Sequence, residues 1–331
     1  MTIVIVVLFG ACSDINQDEL LLPWDTADTA AAPGLPAGPE QLLLLNGKLS
    51  SIEANYTLNA RDDDGAWIGS SLYLYDPATP GALRRLGWLW YGPDDGLHDW
   101  ETMTVREVAV APDGTVWVVL IDQGTDDEWL LARVDVPDLA GVDQPLPVTP
   151  WAVHPEDGAY DAVDFTGAGF AADGALRLAT PADGAFPGDV YTVGPLPPTP
   201  DVDPYYAASG LVETAAEAFP DNLGCAGDVA LHDGRAYALA RSGTDFGTNR
   251  LLELGAGPVG AGLTREPDAP LTALASLNGA LVAVGIDGDI WEVDPGSGAF
   301  TAVDSVAAAL PDDDRGQPTR RLRGGGTVRL P

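Results

Sequence analysis

The chain is poor in positive charge, and this shortage narrows what it can bind. Lysine occurs once, at Lys48, and 16 basic residues stand against 50 acidic ones among 331, for a formal net charge of −34 at pH 7. A surface this acidic repels phosphate backbones and anionic lipids, so nucleic-acid binding and direct adsorption to a membrane are disfavoured. Solubility is the ordinary consequence of such acidity, and a cation-binding role is the alternative.

Cysteine and catalytic motifs are equally scarce. Cys12 and Cys225 are the only two cysteines, so a disulfide framework is excluded, and no Cys/His spacing typical of a zinc site occurs. Cys225 lies among neutral residues and is expected to be a small buried side chain. The sequence has no GxSxG, HExxH or phosphate-binding glycine loop. No recognisable motif therefore supports an enzyme.

Turn residues, by contrast, are abundant, with 39 glycines and 28 prolines. The stretch 271–303 reads as four short apolar runs separated by Asn278-Gly279, Asp287-Gly288 and a longer turn at 294–298. Asn-Gly and Asp-Gly favour the tight hairpins that join antiparallel strands. Four up-and-down strands in about 33 residues have the size of one β-propeller blade.

The same strand–turn–strand pattern recurs along the chain, with turns at Asp64-Gly65, Asp113-Gly114, Asp173-Gly174 and Asp233-Gly234. A third apolar run follows in each unit, at 72–77, 130–137, 190–195, 250–255 and 290–295. Many second runs are apolar on both faces, as in a sheet packed between two neighbours. We therefore predict an all-β fold consisting of a single β-propeller over residues 41–331.

The number of blades depends on how the two chain ends are used. Residues 42–52 and 319–330 each look like a hairpin, the second with its turn at Gly324-Gly325-Gly326. Pairing of the two would close the ring in one composite blade and protect the sheet edges. This pattern predicts six four-stranded blades. Five blades, with the terminal segments peripheral, are the alternative.

Two segments resemble the repeats of NHL and two-component-regulator propellers. Asp64–Gly69 with Leu72–Pro77, and Ala111–Val118, combine an Asp-Gly turn with a following aromatic residue, as those repeats do. No Trp-Asp ladder or kelch glycine pair indicates another propeller class. The resemblance implies a propeller fold and says little about function.

The N-terminus is predicted to be a targeting segment rather than part of the fold. Residues 3–9 are all apolar, a length that suits a signal peptide and is too short to span a bilayer. Gly10-Ala11-Cys12 then resembles the bacterial lipobox, which implies a signal peptide over 1–11 and lipid attachment at Cys12. Residues 12–40 are acidic and proline-rich and read as a disordered tether. The alternative is a buried strand at 3–9 with an incidental cysteine.

Acidic and aromatic residues are concentrated in loops that should surround one mouth of the propeller. Such loops could bind a divalent cation through oxygen ligands, or a sugar through ring stacking and hydrogen bonds. The alternative is that they are the solvated loops of an acidic protein. The candidate binding residues are Asp94, Asp95, His98, Asp99, Trp100, His154, Glu156, Asp157, Tyr160 and Asn222.

These features together predict a monomeric lipoprotein at the cell envelope, outside the cytoplasm, that contacts the membrane only through its lipid. We expect a binding or scaffold module for a protein, glycan or cation. A hydrolase is the alternative, because six-bladed calcium-dependent lactonases hold an axial metal with Glu, Asn and Asp from different blades. A similar site here would need Ca²⁺ and would draw on Asp95, Glu156, Asn222 and Asp228.

Overall fold

The structure is a computed structural model, and it describes thirteen stretches of the chain. These are residues 38–46, 70–90, 103–122, 128–136, 144–151, 165–183, 186–193, 211–213, 215–220, 222–245, 247–266, 269–310 and 322–329. All of them belong to one unit, Leu35–Pro331, while Met1–Gly34 form a separate unit outside the described residues. The predicted signal peptide, Cys12 and most of the tether therefore lie outside the described residues.

The described part of the chain is almost entirely β-structure. Its strands are β1 (Glu40–Asn46), β2 (Ser71–Tyr75), β3 (Arg84–Trp90), β4 (Met103–Val110), β5 (Val116–Asp122), β6 (Glu128–Val134), β7 (Gln144–Pro150), β8 (Gly167–Phe170), β9 (Leu176–Ala179), β10 (Val190–Val193), β11 (Leu211–Glu213), β12 (Leu223–His232), β13 (Arg235–Ser242), β14 (Thr248–Glu253), β15 (Gly257–Thr264), β16 (Leu271–Leu277), β17 (Ala280–Gly285), β18 (Asp289–Val293), β19 (Phe300–Ser305) and β20 (Leu322–Arg329). Its only helical pieces are two 3₁₀ turns, at Ala215–Glu217 and Ala307–Ala309, and neither is long or apolar enough to cross a membrane.

The strands form four-stranded antiparallel blades. Blades 3, 4 and 5 are β8–β11, β12–β15 and β16–β19, each an up-and-down meander. Blade 2 is β4–β7, and blade 1 has the order β20-β1-β2-β3. The outer strands of blades 1 and 2 also pair with each other, in parallel, so that these two blades form one eight-stranded sheet.

The inner strands of the blades close into a ring. β20 packs on β4, β4 on β8, β8 on β12, β12 on β16, and β16 on β20. Five apolar clusters fill the five interfaces between neighbouring blades. The chain is therefore a β-propeller, as the repeated turns predicted.

The run Leu42–Leu45 in β1 illustrates why second strands are apolar on both faces. Leu43 and Leu45 pack in the cluster shared with blade 2, whereas Leu42 and Leu44 pack in the cluster shared with blade 5. All four side chains are 0 % exposed. Alternating side chains point to opposite faces of a strand, so a blade held between two neighbours needs apolar residues at every position.

The ring of described strands contains five blades, the smaller of the two numbers that the sequence left open. The prediction of six blades counts residues 64–77 apart from the terminal segments. In the structure β2 pairs with β1, and β1 pairs with β20, so the chain ends supply the two inner strands of that same blade. The predicted pairing of the two terminal segments in one blade is confirmed, and the blade that they complete is the one that contains the first repeat.

The predicted hairpin at 319–330 is wrong. Gly324, Gly325 and Gly326 lie within one strand, β20, which pairs along its length with β1. Gly324 has φ +50° and lies at a break in the register of the two strands, which is the position of a β-bulge. The residues 47–52 of the other predicted hairpin lie outside the described residues.

Candidate functional site

The axis of the propeller is lined by strand edges. β4, β8, β12, β16 and β20 each stand at the inner end of their sheet order, so one edge of each faces the centre of the ring. Four of these strands break register at an inner position, at Arg106 in β4, Asp228 in β12, Thr272 in β16 and Gly324 in β20. Bulges turn side chains away from the regular alternation. The backbone around the axis is therefore irregular and closely packed.

Asp228 is the side chain that these bulges bury most completely. It is 0 % exposed and has φ +34°, a backbone conformation that few residues other than glycine adopt. Its Oδ1 accepts a hydrogen bond from the N–H of Val229 at 3.0 Å. Its Oδ2 makes no hydrogen bond of normal geometry with any described residue.

Glu107 is the second buried carboxylate on the axis. It lies on β4, directly after the bulged Arg106, and is 2 % exposed. Burial raises the pKa of Asp228 well above its usual value, and the charge of Glu107 raises it further. The N–H groups of Val229, Gly325 and Leu274 act in the opposite direction. Two buried carboxylates thus interact close to the axis.

The glycines of β20 make room for both carboxylates. A Cβ atom at Gly324 would lie 2.7 Å from Oε2 of Glu107 and 2.8 Å from the backbone nitrogen of Val108. A Cβ at Gly325 would lie 3.4 Å from Oδ2 of Asp228. Both carboxylates therefore lie close to the same two-residue stretch of backbone.

Cys225 lies beside this pair, as a small buried side chain. It is 3 % exposed, which confirms the interpretation made from its neutral neighbours. Burial raises the pKa of its thiol well above the usual value, with the charges of Glu107 and Asp228 adding to the effect. A protonated thiol is a weak nucleophile and a poor metal ligand. Cys225 therefore packs rather than reacts.

A cavity of about 350 Å³ opens on the axis next to the carboxylates. All five inner strands line the cavity. Three of the residues in its wall, Val229, Leu274 and Gly325, also direct their N–H groups toward Asp228. The rest of the lining is largely apolar or main chain, with Phe170 among it. Arg329 and Glu40, also part of the lining, form an ion pair at 2.7 Å.

Most of the residues predicted to form the binding rim lie outside the described part of the chain. These are Asp94, Asp95, His98, Asp99, Trp100, His154, Glu156, Asp157 and Tyr160. Asn222 is described, and it is an exposed turn residue with φ +65° whose carbonyl oxygen accepts a hydrogen bond from Gly243 at 3.1 Å. Its role as a rim residue stays a prediction.

Of the four predicted metal ligands, Asp95 and Glu156 likewise lie outside the described residues. Asn222 precedes β12 and is exposed, whereas Asp228 lies within β12 and is buried on the axis. Within the described ranges, no group of three or more His, Cys, Asp or Glu side chains is arranged to hold a metal. The buried partner of Asp228 is Glu107, which sequence reasoning missed.

Comparisons with known proteins give structural similarity alone. No protein-family model matches the chain, and no curated protein is significantly similar to it. The resemblance to NHL repeats thus remains one of pattern.

Three solved structures illustrate the similarity. A putative oxidoreductase (glucose dehydrogenase) from Thermus thermophilus is 17% identical, with a TM-score of 0.36 over 85% of this chain and 90% of that one. A putative gluconolactonase is 14% identical, with a TM-score of 0.39 over 82% and 83%. A protein of unknown function from Bacteroides caccae is 12% identical, with a TM-score of 0.39 over 87% and 99%. Likeness at this level assigns the chain to no family.

Proposed function

We propose that this chain is an envelope lipoprotein whose propeller binds a neutral glycan at the axial cavity. The observation that carries the proposal is the cavity itself, which all five inner strands build and whose lining combines apolar side chains with main-chain groups. An apolar face next to hydrogen-bonding groups suits a sugar ring. The two charged side chains of its lining, Glu40 and Arg329, form an ion pair and neutralise each other, so the cavity offers no net charge to a charged ligand.

Blocking the cavity tests the binding function. Ser276 lines the cavity and is half-buried, so Ser276→Trp should place an indole ring in it and abolish binding of neutral mono- and disaccharides. Thr301→Trp, on the exposed outer strand β19, is the matched control and should bind as the unmodified chain does. Calorimetric titration and glycan arrays provide the measurements. Equal binding by both variants, or binding of peptides alone, would contradict the proposal.

The anchor is tested separately. Cys12→Ala should move the protein from the membrane fraction to the soluble fraction, because lipid attachment needs that thiol. Cys225→Ala is the control, since Cys225 is buried in the propeller and its loss should leave fractionation unchanged. Membrane association that persists in Cys12→Ala would rule out the lipid anchor.

A metal-dependent hydrolase is the second candidate, and the buried carboxylate pair is the observation that favours it. A cation held by Glu107 and Asp228 could polarise an ester or lactone carbonyl. Turnover of p-nitrophenyl esters or δ-lactones that requires Ca²⁺ and disappears in Asp228→Asn would support this reading. Calcium binding without turnover would leave the protein a binding module.

A further inference from the structure

A serine and a histidine from neighbouring blades meet at the axial cavity. Ser276 lies near the end of β16 in blade 5, lines the cavity and is half-buried. His232 ends β12 in blade 4 and is 4 % exposed. Nδ1 of its ring lies 3.0 Å from Oγ of Ser276. An imidazole at this distance can take the proton of the hydroxyl and turn its oxygen into a nucleophile.

A carboxylate lies near the other nitrogen of the same ring. Oδ2 of Asp233 is 3.7 Å from Nε2 of His232, which is longer than a hydrogen bond. Its negative charge nevertheless favours the proton on Nε2, and this tautomer leaves Nδ1 free to accept from the Ser276 hydroxyl. The ring is held in place by burial and by Tyr237, whose ring centroid is 6.5 Å away. The three side chains follow the order of a Ser-His-Asp triad, with the roles of the two ring nitrogens exchanged.

The main chain supplies hydrogen-bond donors to the same cavity. Ser276 and Leu231 both line it, and each comes one residue before the residue that closes a two-residue hairpin turn. The closing residue bonds to the next strand, so the residue before it directs its N–H to the opposite side, which is the axis. In agreement with this alternation, the N–H groups of Leu274 and Val229, two residues earlier, act on Asp228. Such N–H groups can stabilise the negative oxygen that forms when a hydroxyl attacks an ester.

We propose that the axial cavity is the active site of a serine esterase that removes acyl groups from neutral sugars. Ser276 is the nucleophile, His232 the general base and Asp233 the residue that positions its imidazole. The apolar lining suits an acyl chain as well as a sugar ring, and the paired charges of the lining favour an uncharged ester. The inference rests on the proposed function for the sugar part of the substrate, and on the contact between Ser276 and His232 for the reaction.

The reaction would take place in two steps that consume one water molecule. Oγ of Ser276 attacks the ester carbonyl carbon while Nδ1 of His232 takes its proton. The bond from that carbon to the sugar oxygen then breaks, the sugar oxygen receives the proton from Nδ1, and the acyl group stays on Ser276. Water attacks the acyl carbon in the second step, and His232 takes a proton from the water and returns it to Oγ as the bond to Ser276 breaks. The products are the free sugar and a carboxylic acid.

Hydrolysis of p-nitrophenyl acetate and of glucose pentaacetate by the full chain tests the proposal. Turnover should persist in a chelator, which separates it from a metal-dependent hydrolase. Ser276→Ala and His232→Gln should each lower kcat/KM by about 10³-fold or more. Asp233→Asn should lower kcat by about tenfold and leave KM unchanged, because Asp233 is exposed and acts only through His232. Ser297→Ala, in an exposed turn of the same blade, is the control and should hydrolyse both esters as the unmodified chain does.

A covalent label gives a second measurement that needs no variant to fold. An uncharged alkyl fluorophosphonate forms a bond from phosphorus to an activated serine oxygen and releases fluoride. Mass spectrometry of peptides from the unmodified chain should find this label on Ser276. The absence of a label there would overturn the proposal.

Three further results separate the esterase from glycan binding. Equal turnover by Ser276→Ala and Ser297→Ala would overturn the esterase. Calorimetric binding of glucose without hydrolysis of either ester would also overturn the esterase and would leave the proposed binding function standing. Hydrolysis of p-nitrophenyl acetate that depends on Ser276, in a chain that binds no neutral sugar, would support the esterase and contradict the proposed binding function.

Discussion

Asp304 shows how a single side chain can join two blades. It lies on β19 of blade 5, and its Oδ2 accepts hydrogen bonds from the Tyr75 hydroxyl and the Gly81 N–H of blade 1, both at 2.8 Å. Its Oδ1 accepts from the N–H of Ser305. Partial burial raises the pKa of Asp304, but the hydrogen bonds from Gly81, Tyr75 and Ser305 together hold it below its usual value.

The lowered pKa of Asp304 predicts a stability that depends on pH. A carboxyl whose pKa is lower in the folded chain stabilises it above the ordinary value of about 3.9, and this contribution is lost as the pH falls through the folded value. Asp304→Asn should therefore lower the melting temperature by about 2–4 °C at pH 7. The difference from the unmodified chain should shrink below about pH 4. A constant difference down to pH 2 would mean that the charge of Asp304 is irrelevant.

At the level of single elements, the positions of the turns were the feature that the sequence predicted best. Asn278-Gly279 and Asp233-Gly234 both have positive φ at their two residues, as a type I′ hairpin requires. At Asp113-Gly114 only the glycine has positive φ, and the Asp113 carboxylate accepts a hydrogen bond from the N–H of Thr115 at 2.9 Å. An Asp-Gly pair thus predicts a turn, but the turn type also depends on whether the aspartate caps it.

The prediction of a turn at Gly324-Gly325-Gly326 is wrong because the local sequence and the long-range packing make different demands on these residues. Three consecutive glycines favour a turn. In β20 they are required instead by the close approach of other parts of the ring, since a Cβ at Gly326 would lie 2.3 Å from Cγ2 of Val110. A local sequence pattern does not show which distant strand packs against the segment. For the same reason the sequence did not reveal the role of Glu107, because nothing in β4 alone indicates that this residue lies near Asp228.

The parallel pairing of β3 with β7 is a feature that no repeat pattern predicts, and it rests on Gly87. A Cβ at Gly87 would lie 1.8 Å from the carbonyl oxygen of Gln144, so no side chain fits between the two strands. Gly87→Ala should separate blades 1 and 2 at their outer edge. The separation should lower the free energy of unfolding by about 2 kcal/mol or more.

Urea denaturation measures this effect, and Gly243→Ala is the control. Gly243 has no positive φ, and the nearest atom to an added Cβ would be 3.4 Å away, so the substitution should change the stability little. Equal stability of the two variants would show that the pairing of β3 with β7 contributes nothing to the free energy of unfolding.

Closure of the ring is the property that belongs to the whole molecule. β20 is the inner strand of blade 1, and it contacts β4 on one side and β16 on the other. Its buried residues Leu322 and Val328 belong to the clusters shared with blades 5 and 2. Removing this strand would expose the edge of β1 and open two of the five interfaces. The stability of every blade therefore depends on residues near the end of the chain.

Deletion of residues 322–331 tests this dependence. We expect the truncated chain to lose its cooperative thermal transition and to aggregate through the exposed edge of β1. Deletion of Leu330-Pro331 alone is the control, because it keeps β20 and the ion pair between Glu40 and Arg329.

A synthetic peptide of residues 320–331, added to the truncated chain, should restore the transition in proportion to its concentration, since the pairing of β1 with β20 needs no covalent link. The same peptide with Gly326→Val should fail, because its side chain would collide with Val110 on β4. Rescue by both peptides would mean that strand pairing alone closes the ring. Rescue by the first alone would show that closure also requires the close contact of β20 with β4, the contact that brings Glu107 to the axis.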